Sequence, residues 1–188
     1  MMHLPHALTL ILSVFGAAAT IQAQQAPMVV VFVRHAEKAP APADDPGLTD
    51  AGRTRAAALA DALSDARVDA IITTAVERTR QTAAPLAQKQ HVTPIVVQAG
   101  ADTPAHVRAV AAVVRRQAAG SLVVVVGHSN TLPGIIAALG GPALPDLCDG
   151  EYSRLFTLVL SGEGPPRLIR SAYGAPDAAE PCGRTMVR

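Results

Sequence analysis

Two histidines stand directly after apolar runs and directly before loop-like sequence. Residues 31–34 (Val-Phe-Val-Arg) lead into His35, and residues 124–127 (Val-Val-Val-Gly) lead into His128. Strand ends in an α/β sheet border the crevice where ligands bind, so we expect both side chains to face one site. An imidazole can serve there as a nucleophile or as a proton donor and acceptor.

A third segment, residues 73–83, also begins at the end of an apolar run and opens a helical pattern. The free amide groups at a helix start favour an anion such as phosphate. Arg78 and Arg80 are two residues apart, about 200° around a helix, so one faces the crevice and the other faces away. The spacing alone does not decide between them.

Other polar residues are expected outside the site. His91 and His106 are typical of a helix surface or a satisfied core position. A larger group resembles a solvated loop and helix face, with Lys38 as the member that could reach a substrate: Lys38, Asp44, Asp45, Arg53 and Arg55.

The elements that would position the site residues alternate between apolar runs and helical patterns. This alternation predicts strand-helix-strand units and a largely parallel sheet. The last two runs have too short a connection for a helix, so they are expected to pair antiparallel and make the sheet mixed. Thr49 and the pair Thr103-Pro104 are expected to begin helices. The predicted strands are 28–33, 68–72, 94–97, 122–126, 155–160 and 168–172.

The start of the chain differs from the rest. Residues 7–19 form an apolar run that is short for a bilayer span but typical of a signal-peptide core. We therefore expect residues 1–23 to be a signal peptide and residues 24–188 to form one exported domain, periplasmic or secreted. No membrane contact is expected after cleavage.

The composition limits the classes of partner that the chain is expected to bind. The formal net charge is +1 and Trp is absent, so nothing indicates nucleic-acid binding. Cys148 and Cys182 are expected to form a disulfide in an oxidising compartment. They are too far apart in sequence, and too unaccompanied, to predict a metal site.

Four stretches together resemble a known family. They are residues 34–37 (Arg-His-Ala-Glu), 48–52 (Leu-Thr-Asp-Ala-Gly), 74–83 (Thr-Ala-Val-Glu-Arg-Thr-Arg-Gln-Thr-Ala) and 127–129 (Gly-His-Ser). In this order and spacing they resemble the histidine phosphatase (phosphoglycerate mutase-like) superfamily, in its small phosphatase branch, over nearly all of residues 28–172. The resemblance implies a three-layer α/β/α fold with a mostly parallel mixed sheet of about six strands.

The resemblance also implies roles for individual residues. His35 would be the nucleophile, Arg34 and Arg78 would bind phosphate, and His128 would add a donor on the opposite side. A small phosphorylated substrate or a phosphoprotein would pass its phosphoryl group to His35, with no cofactor and no metal.

The proton donor for the leaving group is open at this point. Many members of the family place a carboxylate after the third strand, where Asp102 is the candidate. Others use an Asp directly after the second histidine, but Ser129 stands there in this chain. Glu37 and Glu151 are alternatives, and a substrate with a good leaving group, such as phosphohistidine, needs no acid.

These inferences predict an exported phosphomonoesterase that hydrolyses phosphate esters or phosphohistidine through a covalent intermediate on His35. A non-catalytic protein that retains the phosphate pocket is the alternative. A phosphomutase is less favoured, because the chain lacks room for the longer insertions of the mutases.

Overall fold

The computed structural model describes residues 26–162 and 164–177. Strands and helices alternate along the first two thirds of these residues, and two strands follow. The strands are β1 (Met28–Arg34), β2 (Ala70–Thr73), β3 (Ile95–Val96), β4 (Leu122–Gly127), β5 (Arg154–Leu160) and β6 (Arg167–Ala172). The helices are α1 (Asp50–Ala62), α2 (Glu77–Gln90), α3 (Thr103–Arg115) and α4 (Leu132–Ala138).

The six strands form one sheet in the order β3-β2-β4-β1-β5-β6. The first four of these are parallel, whereas β5 runs antiparallel to β1 and β6 antiparallel to β5. Arg34 at the end of β1 pairs with Gly127 at the end of β4. The predicted mixed sheet is confirmed, and the carboxyl ends of β1, β4 and β2 lie side by side at one edge.

Helices cover both faces of the sheet, because side chains alternate between the two faces along each strand. Val31 and Val33 pack with Leu59 of α1 and Leu86 of α2. Phe32 points the other way and packs with buried aliphatic side chains of α3 and α4. Each such side chain contributes about 1.5–3 kcal/mol when fully buried. The three-layer α/β/α architecture is confirmed.

The helix starts agree with the sequence at α1 and differ at α3. Thr49 caps α1, and its Oγ1 accepts a hydrogen bond from the backbone N of Gly52 at 3.0 Å. The prediction that Thr103 caps α3 is wrong, because Thr103 is the first helical residue and Asp102 is the cap. The Asp102 Oδ1 accepts from the backbone N of Ala105 at 3.0 Å. A carboxylate also interacts with the partial positive charge of the helix start, which a hydroxyl does only weakly.

Two predictions fall on residues outside the described ranges. Both the signal peptide at residues 1–23 and Cys182 lie there. Cys148 is disulfide-bonded, and its pairing with Cys182 stays a prediction. Within residues 26–162 and 164–177, no helix is both long and apolar enough to cross a membrane.

Candidate active site

A cavity of about 320 Å³ opens where β1, β4 and β2 end. Four of the predicted site residues line it, and they come from three separate chain segments: Arg34, His35, Arg78 and His128. Asp102 is not among the lining residues. The volume lies at the small end of the range for ligand sites, so the cavity suits a phosphoryl group with a small or exposed remainder.

Two hydrogen bonds, one from the backbone and one from the ring, fix the position of His35. Its backbone N donates to the carbonyl oxygen of Gly127 at 2.9 Å, which continues the pairing of β1 with β4. Its Nδ1 lies 2.8 Å from the carbonyl oxygen of Ala36. Since a carbonyl oxygen can only accept, Nδ1 carries the ring hydrogen and Nε2 keeps its lone pair.

The surroundings of His35 keep the ring uncharged. Burial is the main cause that lowers the pKa of His35 to about 3, and the charges of Arg34, His128 and Arg78 lower it further. The hydrogen bond to Ala36 acts in the opposite direction and is outweighed. A neutral imidazole is the form that can attack phosphorus.

Arg34 is held against the cavity wall by the loop that precedes β5. Its Nη1 donates to the carbonyl oxygens of Cys148 at 2.7 Å and Asp149 at 2.8 Å. The guanidinium carbon lies 4.3 Å from the centre of the Tyr152 ring, a cation–π contact. The guanidinium is therefore positioned before any anion arrives.

The structure decides between the two arginines at the start of α2. Arg78 lines the cavity, whereas Arg80 points away and pairs with Glu77. The Nε of Arg78 is buried without a hydrogen-bond partner among the described residues. Buried guanidinium nitrogens normally have hydrogen-bond partners, so Arg78 is positioned to bind an anionic ligand.

His128 is oriented by a chain of hydroxyl groups. Its Nε2 lies 3.2 Å from the Oγ1 of Thr74, which lies 2.9 Å from the Oγ1 of Thr79. Burial and then the charge of Arg78 lower the pKa of His128 to about 4. The centres of the His128 and His35 rings are 5.5 Å apart, in an edge-on arrangement. Both histidines are thus uncharged neighbours.

Two further side chains of α2 fasten the loops beside it. The Oγ1 of Thr82 accepts from the backbone N of Ala36 at 2.9 Å. The Oε1 of Gln81 accepts from the backbone N of Leu48 at 2.7 Å. The segment 78–82 therefore holds the loop after β1 in place as well as supplying Arg78.

Residues 30–102, which include three of the four stretches quoted from the sequence, match the family model described as the histidine phosphatase superfamily (branch 1). Over these residues the chain is similar to the histidine phosphatase superfamily. No curated protein matches its sequence.

Solved structures share the fold of this chain. Mycobacterial hydrolase 2 has a TM-score of 0.61 at 19% identity, covering 82% of this chain and 94% of its own. A mycobacterial glucosyl-3-phosphoglycerate phosphatase has a TM-score of 0.56 at 20% identity, covering 78% and 98%. SixA from Agrobacterium tumefaciens, assigned as a phosphohistidine phosphatase, has a TM-score of 0.55 at 25% identity, covering 79% and 98%. Family and neighbours together support phosphatase activity.

The three carboxylates considered as proton donors lie outside the cavity lining and make other contacts. Asp102 is exposed and caps α3. The Oε1 of Glu37 accepts from the Nε and Nη2 of Arg55 at 2.9 and 2.8 Å. Glu151 pairs with Arg154. None of the three is among the residues that line the cavity.

Some residues in and around the cavity were not expected there from the sequence. The prediction of a solvated Arg55 is wrong, since the side chain is 5% exposed. His106 lines the cavity, and its position four residues before the buried Val110 is a helical-spacing signal that could have indicated an inward side chain. Tyr152 lies in a loop without periodicity, where no sequence signal marks it. Lys38 does line the cavity.

Proposed function

We propose that this protein is an exported phosphomonoesterase that works through a covalent phosphohistidine on His35. The state of His35 carries the proposal: it is a neutral ring that keeps the Nε2 lone pair, and it shares a cavity with two arginines. A phosphate-binding protein without turnover needs the cations but has no use for a free lone pair on a buried histidine.

The first chemical step is an in-line displacement at phosphorus. The Nε2 of His35 attacks, the bond to the leaving oxygen breaks, and the transferred charge spreads over the three equatorial oxygens. Arg34 and Arg78 stabilise this charge through positioned donors. Water then attacks the phosphorus of the phosphohistidine, the N–P bond breaks, and inorganic phosphate leaves with His35 neutral again.

His128 supplies a further donor if its hydrogen sits on Nδ1. The contacts permit that arrangement: Thr74 can donate to Nε2 of His128, while the Thr79 hydroxyl donates to the carbonyl oxygen of Val76 or Thr74. Nδ1 then carries the hydrogen and offers it to the phosphoryl group.

The substrate is proposed to be a small phosphate ester or an exposed phosphohistidine. The cavity is small, and part of its wall is formed by Ala99 and Gly100, which have little or no side chain. Because these two residues occupy little space, the cavity can accept a phosphoryl group on a short linker, including one on a protein surface. The assignment of SixA as a phosphohistidine phosphatase supports phosphohistidine as one of the two substrate classes to test.

The experiment is rapid acid quenching after mixing with labelled p-nitrophenyl phosphate. We expect labelled wild-type protein and released phosphate, and neither from His35→Asn. His91→Asn is the matched control, because His91 is exposed and adopts the left-handed conformation (φ 54°) that Asn tolerates. No labelled protein and no phosphate release from wild type between about pH 5 and 8 would leave phosphate binding without turnover as the function.

Export and metal independence are parts of the same proposal. Sequencing of the mature amino terminus after expression is expected to start near Gln24, and an intact Met1 would contradict export. Within the described ranges, no group of three or more His, Cys, Asp or Glu side chains could hold a metal ion. We expect activity to survive a chelator, and restoration of a chelated enzyme by a divalent ion would contradict metal independence.

A further inference from the structure

His106 is a buried histidine in the wall of the same cavity. It lies in the second turn of α3, is 4% exposed, and lines the cavity with His35 and His128. Its Nδ1 lies 3.1 Å from the carbonyl oxygen of Gln98, so Nδ1 carries a hydrogen. Its Nε2 forms no hydrogen bond with any described residue.

The arrangement is that of a group ready to exchange a proton. The bond to Gln98 fixes the ring and leaves Nε2 as the nitrogen that gains or loses a hydrogen. The phosphate cradle is built on the ends of β1, β4 and α2, whereas His106 belongs to α3. An in-line attack by His35 directs the leaving oxygen away from His35, toward the remaining wall of the cavity.

The carboxylate that lines the cavity is less suited than His106 to exchange a proton with the leaving oxygen. Asp149 is the one carboxylate among the lining residues that the structure describes. Its side chain is fully exposed, and its Oδ1 lies 3.8 Å from the Nη2 of Arg34. This carboxylate therefore lies beside Arg34, on the side of the phosphate cradle, and is exposed to solvent.

We propose that His106 is the proton donor for the leaving group and the proton acceptor for the attacking water. The inference rests on the proposed phosphatase activity of His35. In the first step His35 attacks phosphorus, the P–O bond breaks, and the leaving oxygen takes the Nε2 hydrogen of protonated His106. In the second step water gives a proton to Nε2 of His106 as it attacks phosphorus, and the N–P bond to His35 breaks.

The charge of His106 acts on His128, which the proposed mechanism places beside the phosphoryl group. It is one of the charges that lower the pKa of His128, after burial and Arg78. The same ring can act in both steps, because each step returns it to the state that the next one needs.

The test is a series of substrates with different leaving groups, measured on wild type and His106→Asn. The Asn side chain can still donate to the carbonyl oxygen of Gln98, but it has no hydrogen to give at the Nε2 position. For an alkyl phosphate, whose leaving group needs a proton, we expect kcat/KM to fall about 10²- to 10⁴-fold. For p-nitrophenyl phosphate, whose leaving group is stable as an anion, we expect a fall of less than about tenfold.

Two matched variants cover the competing acids. Asp102→Asn preserves the cap of α3, since Asn caps as well as Asp, and Asp149→Asn removes the exposed carboxylate. Both are expected to leave the dependence on leaving group unchanged. A uniform loss across the series for His106→Asn, or a leaving-group effect in an Asp variant instead, overturns the role of His106.

The outcomes separate this inference from the function on which it rests. If wild type forms no phosphoenzyme from p-nitrophenyl phosphate, the proposed function fails and the role of His106 fails with it. If wild type turns over but His106→Asn behaves uniformly, only the role of His106 fails. Should His106→Asn melt at a much lower temperature than wild type, His106→Gln is measured under the same criteria.

Discussion

His35 shows how one side chain is prepared for attack at the expense of its own solvation. Burial and the two neighbouring arginines disfavour the imidazolium form. In water the same ring would be partly protonated below neutral pH, and the protonated fraction could not act as a nucleophile. In the unfolded chain the His35 ring is solvated and can take up a proton at its usual pKa. The burial of His35 therefore makes the free energy of unfolding depend on pH.

We expect the free energy of unfolding to decrease below about pH 6.5 in part because of His35. The pKa of the ring is about 6.5 in the unfolded chain and about 3 in the folded protein. The unfolded state therefore binds the proton first, and stability falls as the pH decreases through this window. At pH 5 the contribution is about 2 kcal/mol.

Urea unfolding at pH 8 and pH 5 measures this effect. Wild type is expected to lose about 2 kcal/mol more than His35→Asn over that interval. His91→Asn, at an exposed position, should keep the wild-type slope. Equal slopes for wild type and His35→Asn would show that the ring is not held neutral.

Thr74 is expected to matter through His128. Thr74→Val keeps the shape of the side chain but removes the hydroxyl that contacts Nε2, so the ring loses the partner that sets its orientation and hydrogen. We expect kcat/KM for p-nitrophenyl phosphate to fall about tenfold, comparable to one lost buried hydrogen bond.

Thr74→Ser restores the hydroxyl and is expected to stay close to wild type. If the Ser and Val variants have the same kcat/KM, the hydroxyl has no part in positioning His128. Melting temperatures of both variants check that the fold is kept.

Among individual residues, the sequence predicts the site residues that directly follow strand ends. It does not predict residues that reach the site only through tertiary packing. Arg34, His35 and His128 could be predicted to share a site because β1 and β4 end together. Arg78 was distinguished from Arg80 by resemblance, since spacing treats both alike. The position of Tyr152 against Arg34 depends on the path of a loop, which no periodicity encodes.

Among the elements, α1 lies against the loop after β1 with almost no space between them. The backbone N of Thr49 donates to the carbonyl oxygen of Glu37 at 2.9 Å. An ideal Cβ at Gly52 would lie 2.4 Å from that same oxygen. Because this loop also carries His35, the contact fixes the position at which His35 enters the cavity.

Gly52→Ala is therefore expected to destabilise the protein. Helix propensity alone favours Ala over Gly by about 1 kcal/mol, so an increase in stability would result if space were available. We expect instead a net loss of about 1–3 kcal/mol, because the methyl group must push the backbone of Glu37 away.

Gly100→Ala is the matched control, since nothing lies within 4 Å of a Cβ at that position. Urea unfolding should show it unchanged or slightly more stable. A stabilised Gly52→Ala variant would contradict the close approach of α1 to the loop.

Element types could be predicted from periodicity, whereas their exact starts and order could not. The apolar runs indicated all six strands, and β1, β2 and β4 have few polar residues because they are buried on both faces. The start of α3 was misplaced because Asp102 and Thr103 are both good caps and only the backbone path selects one. The strand order β3-β2-β4-β1 depends on crossover geometry, and it was not predicted from the sequence.

In the molecule as a whole, Arg55 joins parts that are distant in sequence. It binds Glu37 through two nitrogens and donates through Nη1 to two backbone carbonyls within residues 173–175. Asp177, 4.0 Å from its Nη2, accepts from the backbone N of Tyr152. Tyr152 in turn contacts Arg34, so the segment after β6 is connected to the cavity.

Arg55→Ala is expected to cost about 3–5 kcal/mol, the range for breaking a buried ion pair by removing one partner. Glu37 would be left without its cation, and the two carbonyls would lose their donor. Arg53→Ala is the control on the same helix: Arg53 is 61% exposed, and surface pairs contribute about 0–1 kcal/mol. Similar urea midpoints for the two variants would contradict the role of Arg55 as a joint.

The cavity walls come from different segments of the chain, and this affects how the substrate specificity of such a protein can evolve. In the proposed mechanism the ends of β1 and β4 and the start of α2 hold the phosphoryl group, while residues 98–106 form the opposite wall on a short loop and one helix start. Loops accept substitutions more readily than the strands they connect. Selection for a new substrate would therefore act first on residues 98–101, and descendants of this chain could exchange substrates while inheriting the same phosphate chemistry.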